Sequence, residues 1–437
     1  MKTIARRFPT VHQALRKMAL LTAVCAFVAP SAWATDGYFE TGYGMKAEGR
    51  GGVSIAFTDD AFGGANDPAT MAFAANQISF GADLFSPRRS ASRAGLGPGL
   101  DGSVTSHRDW FAIPQFAYNR HFGKRLALGV TVYANGGMNT DYPGGSFNCG
   151  RGPANMLCGA GPLGVNLEQV IVAPTFAYAF TRRQSIGISP QLVYQIFSAT
   201  GLQAFAGTPG VSSAPGRVTN RGHEGSSGAG LRIGYYARIS TAWSVGATFA
   251  TRAYMRRFRS YSGLFADQGR FDLPENYGVG VAWRPSSSWT IGADYERIKY
   301  SGVASVGNAS TVRAPLGSTN GPGFGWHDVN VWKLGVDWRV TPSWTWRAGF
   351  NYVNDPISPA DVTFNILAPG VVTSQATLGF THTFTNGGEL TMAYLHAFPH
   401  SQSGTSILPT FLGGAPAGIE RIAMHEDTLG LQYTWTL

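Results

Sequence analysis

The side chains able to bind or react in this sequence are few and dispersed. His382, His396, His400 and His425 fall late in the chain near Ser-rich loops. No Gly-x-Ser-x-Gly elbow accompanies them, so a hydrolase is not expected. His382 and His396 also occupy the apolar parity of alternating segments, where interfacial packing accounts for them. Cys149 and Cys158 lie in the Gly/Pro-rich run FNCGRGPANMLCGAG with no His nearby in sequence. A local disulfide is the expected use, and neither a metal nor a cofactor is called for. Arg232, Arg252, Lys333 and Arg347 share the polar parity of their segments with Asp294, Glu296 and Asp337. Such cations either form a charge ladder across a polar wall or meet the carboxylate of an amphiphilic ligand. A last cluster is GGANDPATMAF, residues 63–73, preceded by Tyr38, Phe39, Tyr43, Phe57 and Phe62. Asn and Asp cap and turn a chain while Pro fixes its direction, so this stretch is suited to a rigid turn.

The elements that position these groups emerge once the leader is set aside. Residues 1–34 carry a basic start, an apolar run from Met18 to Val28 and the exit Ala32-Trp33-Ala34, the order of a secretory signal peptide. Its five basic residues include no compensating acid, so removal lowers Lys plus Arg from 34 to 29 against 25 acids. The basic balance is then too small to suggest nucleic acid. Charged residues make up only 14% of the chain, Gly numbers 57 and aromatics reach 13%, yet no later stretch gives about twenty consecutive apolar residues. Apolar groups must therefore be presented with a different period.

That period is two. In DVNVWKLGVDWRV, residues 328–340, Trp332, Leu334, Val336 and Trp338 alternate with Lys333, Gly335, Asp337 and Arg339, the pattern of a strand between lipid and a polar lumen. Such segments fall near 76–85, 109–119, 126–136, 168–180, 185–198, 226–239, 243–257, 270–284, 289–301, 328–340, 344–354, 373–384, 388–398 and 427–437. Their links alternate short and long, as tight periplasmic turns and large extracellular loops require. Trp243, Trp283, Trp289, Trp338, Trp344 and Trp435 gather at the short-turn ends, where an interfacial girdle belongs. The expected fold is all-β, a 14-stranded antiparallel transmembrane β-barrel spanning 76–437. Fourteen strands leave a lumen too wide for side chains alone to fill, and residues 35–75 lack lipid-facing alternation. They are expected to form a hatch, or plug, inside it.

The run GYGMKAEGRGGVSIAFTDDAFGGANDPATM resembles the N-terminal signature of the FadL/TodX family of outer-membrane transporters for hydrophobic compounds. The matching positions are Gly51-Gly52, Ala56, Asp60-Ala61, Asn66 and Pro68-Ala69, with Asp67 interrupting the family's Asn-Pro-Ala. The resemblance implies a hatch whose Asn-Pro-Ala element packs near a kink in the third strand, where a gap releases ligand sideways into lipid. Here the gating set becomes Asn66, Asp67, Pro68, Ala69 and the paired glycines Gly136 and Gly137. Candidate ligand contacts are Tyr43, Phe57, Phe62, Arg252, Lys333 and Arg347, with Phe411-Leu412, Ile407-Leu408 and Leu264-Phe265 forming an outer capture surface. Long-chain fatty acids are the leading cargo, with monoaromatic hydrocarbons, or hydrophilic solutes through a general porin, as alternatives. Expected partners are the apolar ligand, outer-membrane lipid and lipopolysaccharide, and the barrel-assembly machinery that reads a last strand ending here in Leu437 rather than Phe. A closed barrel needs no partner strand, so a monomer is expected.

Overall fold

The computed structural model describes residues 36–437 apart from Arg151; the leader expected over 1–34 lies outside the described residues. Fourteen long strands form the wall: β1 (Gln77–Ala94), β2 (Phe111–Phe122), β3 (Leu126–Asn139), β4 (Gly164–Ala179), β5 (Gln184–Thr200), β6 (Glu224–Arg238), β7 (Trp243–Ala250), β8 (Asn276–Trp283), β9 (Trp289–Ile298), β10 (Val329–Thr341), β11 (Trp344–Val353), β12 (Ser374–Thr383), β13 (Glu389–Thr405) and β14 (Ile419–Thr436). Each pairs antiparallel with its neighbour, and β1 closes on β14 from Gln77 opposite Thr436 to Ala94 opposite Ile419. Closure removes the free edges that a lipid solvent could not hydrogen-bond. Two short pieces, Gly102–Thr105 and Tyr254–Met255, add to β1 and β6.

The outward rows are the apolar parity. Trp332 and Leu334 are exposed on the outer surface while their neighbours Val331 and Lys333 are buried within. Trp243 stacks on Trp283 at 5.6 Å and Trp289 on Trp338 at 5.3 Å, forming the girdle at the short-turn end. Three strands run well beyond their expected limits: β1 past residue 85, β13 past 398, and β14 from Ile419 rather than 427. Above the belt their outward row turns polar, with Arg88 and Ser90 on β1 and Arg421 and His425 on β14. The backbone ladder continues where the hydropathy signal stops. Conversely, β7 ends at Ala250 and β8 begins at Asn276, because the chain between them leaves β8 and Tyr254–Met255 pairs with Ala229 and Gly228 of β6.

Within the wall the hatch is almost wholly buried from Asp36 to Ala72. It is held as three short turns, Met45–Glu48, Phe62–Gly64 and Pro68–Ala72. Above it the extracellular loops close over an apolar cluster that includes Phe197, Phe258, Tyr261, Phe265, Tyr300 and Trp326. Cys149 and Cys158 are bonded in one of these loops, their Cα atoms 5.7 Å apart.

Candidate functional site

The turn Asn66–Ala69 is built as its residue types dictate. The Asp67 carboxylate accepts from the Ala69 amide at 2.9 Å, Pro68 occupies the first helical position, and the Thr70 hydroxyl donates to the Asp67 carbonyl at 2.7 Å. The turn seats on β5 and β6 near their short-turn ends, where glycines make room. A Cβ on Gly234 would lie 1.8 Å from the Asp67 carboxylate, and one on Gly187 2.3 Å from the Pro68 carbonyl carbon. Ser185 fastens the seat by donating to the Ala69 carbonyl at 2.7 Å. The element therefore does not touch Gly136 or Gly137 directly.

Its connection to the third strand runs through Tyr43. The Asn66 amide donates to the Tyr43 carbonyl at 2.9 Å and accepts from the Tyr43 amide at 3.3 Å. The Tyr43 ring packs 4.4 Å from Tyr133 of β3, and its hydroxyl donates to Asn135 at 3.4 Å. Immediately beyond lies an irregularity. Ala134 pairs with Val170 and Gly136 with Gln169, so Asn135 is an extra residue, a β-bulge. Pairing between β2 and β3 stops at Phe116 and Val132. Above that point Phe111 to Gln115 of β2 pair with β1 alone, and Tyr133 to Asn139 of β3 have no partner on β2. All seven of those β3 residues are buried, so alternation is lost where the strand bends inward from the wall. The bend rests on the hatch: a Cβ at Gly136 would lie 1.5 Å from the Tyr38 carbonyl oxygen.

Two apolar spaces lie inside the barrel, one of them against this bend. Leu157, Phe205, Leu264, Phe265, Phe324 and Phe364 line a cavity of about 40 Å³ beneath the loops, whose lining contains no charged side chain. A cavity of about 20 Å³ lies beside Gly137, bordered by Tyr38, Phe85, Arg89, Met138 and Trp326. Tyr38, with Trp326 at 5.8 Å and Tyr300 at 5.2 Å, packs in the aromatic cluster next to both spaces. Of the sequence-selected capture residues, Leu264 and Phe265 line the upper cavity. Phe411 packs against the same loop cluster, Leu408 is buried, and Leu412 is exposed.

The sequence-selected cations are mostly hatch clamps. Lys333 meets Glu296 at 2.9 Å and Asp36 at 3.9 Å, while Arg347 meets Asp337 at 3.4 Å and donates to Thr381 at 2.7 Å. Arg232 donates to the Asn66 carbonyl at 3.2 Å. Arg252 is not on a strand: it lies just past β7, paired with Asp272 at 2.6 Å. Phe57 packs under the Arg50 guanidinium, 3.9 Å from its ring centre, and Phe62 is fully buried in the hatch, so neither borders either cavity. Arg50 itself was missed by sequence reasoning. It grips Asp59 with bonds of 2.8 and 2.9 Å and Asp337 with one of 3.0 Å. Burial opposes ionisation of Asp59, but the Arg50 guanidinium outweighs it and holds the carboxyl well below its usual range. Asp60, buried beside the charged Asp59, is pushed up to about 6, and burial raises Asp36 to about 7 despite Lys333. Of the late histidines, His382 packs 4.5 Å from Trp344 and His396 contacts Asp427 at 2.9 Å on the outer wall. No group of ligands suited to a metal occurs among the described residues.

These features can be compared with known proteins. The model of the family described as "Outer membrane protein transport protein (OMPP1/FadL/TodX)" matches residues 31–405. A search of curated proteins finds no match. Among solved structures, the toluene transporter TodX of Pseudomonas putida is similar over 91% of this chain and 99% of its own, with 16% identity and a TM-score of 0.66. A FadL homologue of Pseudomonas aeruginosa is similar over 92% and 99%, with 15% identity and a TM-score of 0.69. The Ralstonia pickettii toluene transporter TbuX is similar over 91% and 99%, with 17% identity and a TM-score of 0.62. With the family match extending over most of its length, this chain belongs to the OMPP1/FadL/TodX family of outer-membrane transporters of hydrophobic compounds.

Proposed function

We propose that apolar molecules enter the loop cavity, pass the aromatic cluster around Tyr38 and leave sideways through the opening between β2 and β3. The observation that carries this reading is the bulge at Asn135. It turns Tyr133–Asn139 into the lumen and leaves the upper part of β2 unpaired on that side, next to a cavity bordered by Gly137. A downward aqueous path would have to cross the buried hatch, which argues against a general porin. Both cavities are smaller than a monoaromatic ring needs, so passage requires rearrangement of the hatch and loops. Movement of Tyr38 off Gly136 would open the lower space past the bend towards the gap between β2 and β3, and Asn66 through Tyr43 ties that movement to the turn on β5 and β6. This route assigns Asn66–Ala69, Gly136 and Gly137 to gating and leaves chemistry on the cargo out of the function.

The cargo best matched by the upper cavity is a neutral monoaromatic or similar hydrocarbon. Its lining offers no cation to a carboxylate, and Lys333, Arg347 and Arg252 are already engaged by acids. The solved relatives named as toluene transporters agree with that class. One observation favours the second reading, long-chain fatty acids: Arg89 borders the lower cavity, donates to the carbonyls of Asn139 and Arg108, and has no carboxylate partner among the described residues. Uptake of labelled toluene and of labelled oleate, in cells lacking their own transporters, separates the two. The first reading expects protein-dependent toluene entry that Arg89→Gln leaves intact. Oleate entry abolished by Arg89→Gln, without toluene entry, would replace it with the second. Entry of neither, from a folded barrel, would reject both.

A further inference from the structure

The loop after β7 contains a cationic sequence that the transport route does not use, TRAYMRRFRSYSG, residues 251–263. Between residues 251 and 270 stand five arginines and one acid, Asp267. Asp267 is taken by Arg257 at 2.9 Å and Arg270 at 3.3 Å, and Arg252 is taken by Asp272 at 2.6 Å. Arg256 and Arg259, together with Arg217 from the preceding extracellular loop, have no carboxylate partner among the described residues. The three border one open cleft of about 870 Å³, with Ser262 and Gln268 also on its lining. Glu224 is the sole acid on its rim, and its two oxygens accept from the Arg259 and Ser260 amides at 2.9 and 2.8 Å. It orders the loop backbone rather than pairing with a guanidinium.

The height and direction of this cleft identify its occupant. Tyr254 and Met255 pair with Ala229 and Gly228 of β6, and the Arg256 amide extends that ladder by donating to the Ser227 carbonyl at 3.0 Å. Along the ladder Tyr254 is 64% exposed and Met255 4%, so Arg256 shares the outward row of Tyr254, one pleat above it. An exposed Tyr, matched on β5 by Tyr194 opposite Ser227, marks the outer limit of the apolar belt. Arg256 thus stands outside the wall at the level of the outer-leaflet head groups. Like charges gathered beside a low-dielectric layer repel unless an anion joins them, and the planar guanidinium fork fits phosphate oxygens two at a time.

We propose that Arg217, Arg256 and Arg259 bind the phosphate groups of an outer-leaflet glycolipid of the lipopolysaccharide type. The site sits on the β6–β7 side, away from the β2–β3 opening, so a bound glycolipid anchors the loop barrel without blocking release. Lipid A carrying its phosphates and dephosphorylated lipid A are titrated against the protein in nanodiscs, for wild type, R256Q/R259Q and R256K/R259K. Heat-modifiable gel mobility verifies that each barrel is folded. The expected result is at least tenfold weaker binding of phosphorylated lipid A by the Gln variant, an intermediate loss for the Lys variant, and weak binding of the dephosphorylated lipid by all three. R421Q, at an exposed Arg on β14, should bind like wild type. Equal binding by wild type and the Gln variant, or equal affinity for the dephosphorylated lipid, would overturn the proposal. So would displacement by inorganic phosphate at the lipid's own concentration, which would mark a site for free anions.

Discussion

Replacing Arg50 by Met should unseat the hatch while leaving the barrel closed. The Arg50 guanidinium is 2% exposed and makes two bonds to Asp59 and one to Asp337, with a fourth from its Nε to the Val53 carbonyl at 2.7 Å. Removing one partner of a buried ion pair costs about 3–5 kcal/mol, because the remaining charge is stranded. Asp59 is 34% exposed and Asp337 13%, and Arg347 remains 4.0 Å from the first and 3.4 Å from the second, so water and that cation partly compensate both acids and the lower end, about 3 kcal/mol, applies. That shifts the seated-to-unseated ratio by about two decades. The strands retain their complete ladder, since Arg50 belongs to no strand. Single-channel recording in planar bilayers reads the consequence directly: wild type should conduct poorly, whereas Arg50→Met should show frequent long-lived openings. A folded variant with wild-type conductance would refute the idea that this clamp holds the plug.

Three further outcomes follow from the same geometry. Gly136→Ala places a methyl group 1.5 Å from the Tyr38 carbonyl, far inside contact distance, so the hatch start or the bend must move. Overpacking of this kind costs about 1–3 kcal/mol, and uptake should change with barrel assembly unaltered, as judged by gel mobility. Asp36→Asn should stabilise the seated hatch at pH 8. The pKa of Asp36 rises from 3.8 to about 7 when the hatch is seated, so the cost of its ionisation builds between those two values and is complete above the higher one, and the thermal advantage of the variant should vanish as pH falls towards the lower. Arg252→Gln should leave toluene uptake unchanged, because Arg252 braces a loop against Asp272 and reaches neither cavity lining; a marked rise in apparent KM would contradict that placement.

The barrel was legible because lipid on one side and lumen on the other impose period two on every strand that crosses the belt. It ceased to be legible where that solvent contrast ends. Arg88 and Arg421 still lie on the outward row of paired backbone but are polar, so the hydropathy pattern ends before β1, β13 and β14 do. Arg252 is misplaced for the opposite reason: the alternating pattern runs on to residue 257, but pairing with β8 ends at Ala250 and the register on β6 shifts by one residue before Tyr254. Gly136 and Gly137 were visible as a pair, whereas Asn135, the actual extra residue, carries no signal of its own. The partners of the lumen cations were hidden because they come from the hatch: Lys333 meets Asp36 and Arg347 lies by Asp59 only once a plug is threaded through a closed barrel. The same holds for Gly187 and Gly234, whose purpose appears only when the Asp67–Pro68 turn is laid against them.

The claim that cargo leaves between β2 and β3 is tested most directly by deleting Asn135. Its neighbours Ala134 and Gly136 already face the consecutive residues Val170 and Gln169, so the deletion removes the bulge without shifting the register on β4. The straightened strand can then pair with Phe111–Gln115 and close the wall. With the folded barrel present at wild-type levels, labelled toluene uptake should fall to that of cells lacking the protein. Undiminished uptake through a barrel whose β2–β3 ladder is complete, as read by amide hydrogen exchange, would contradict lateral release.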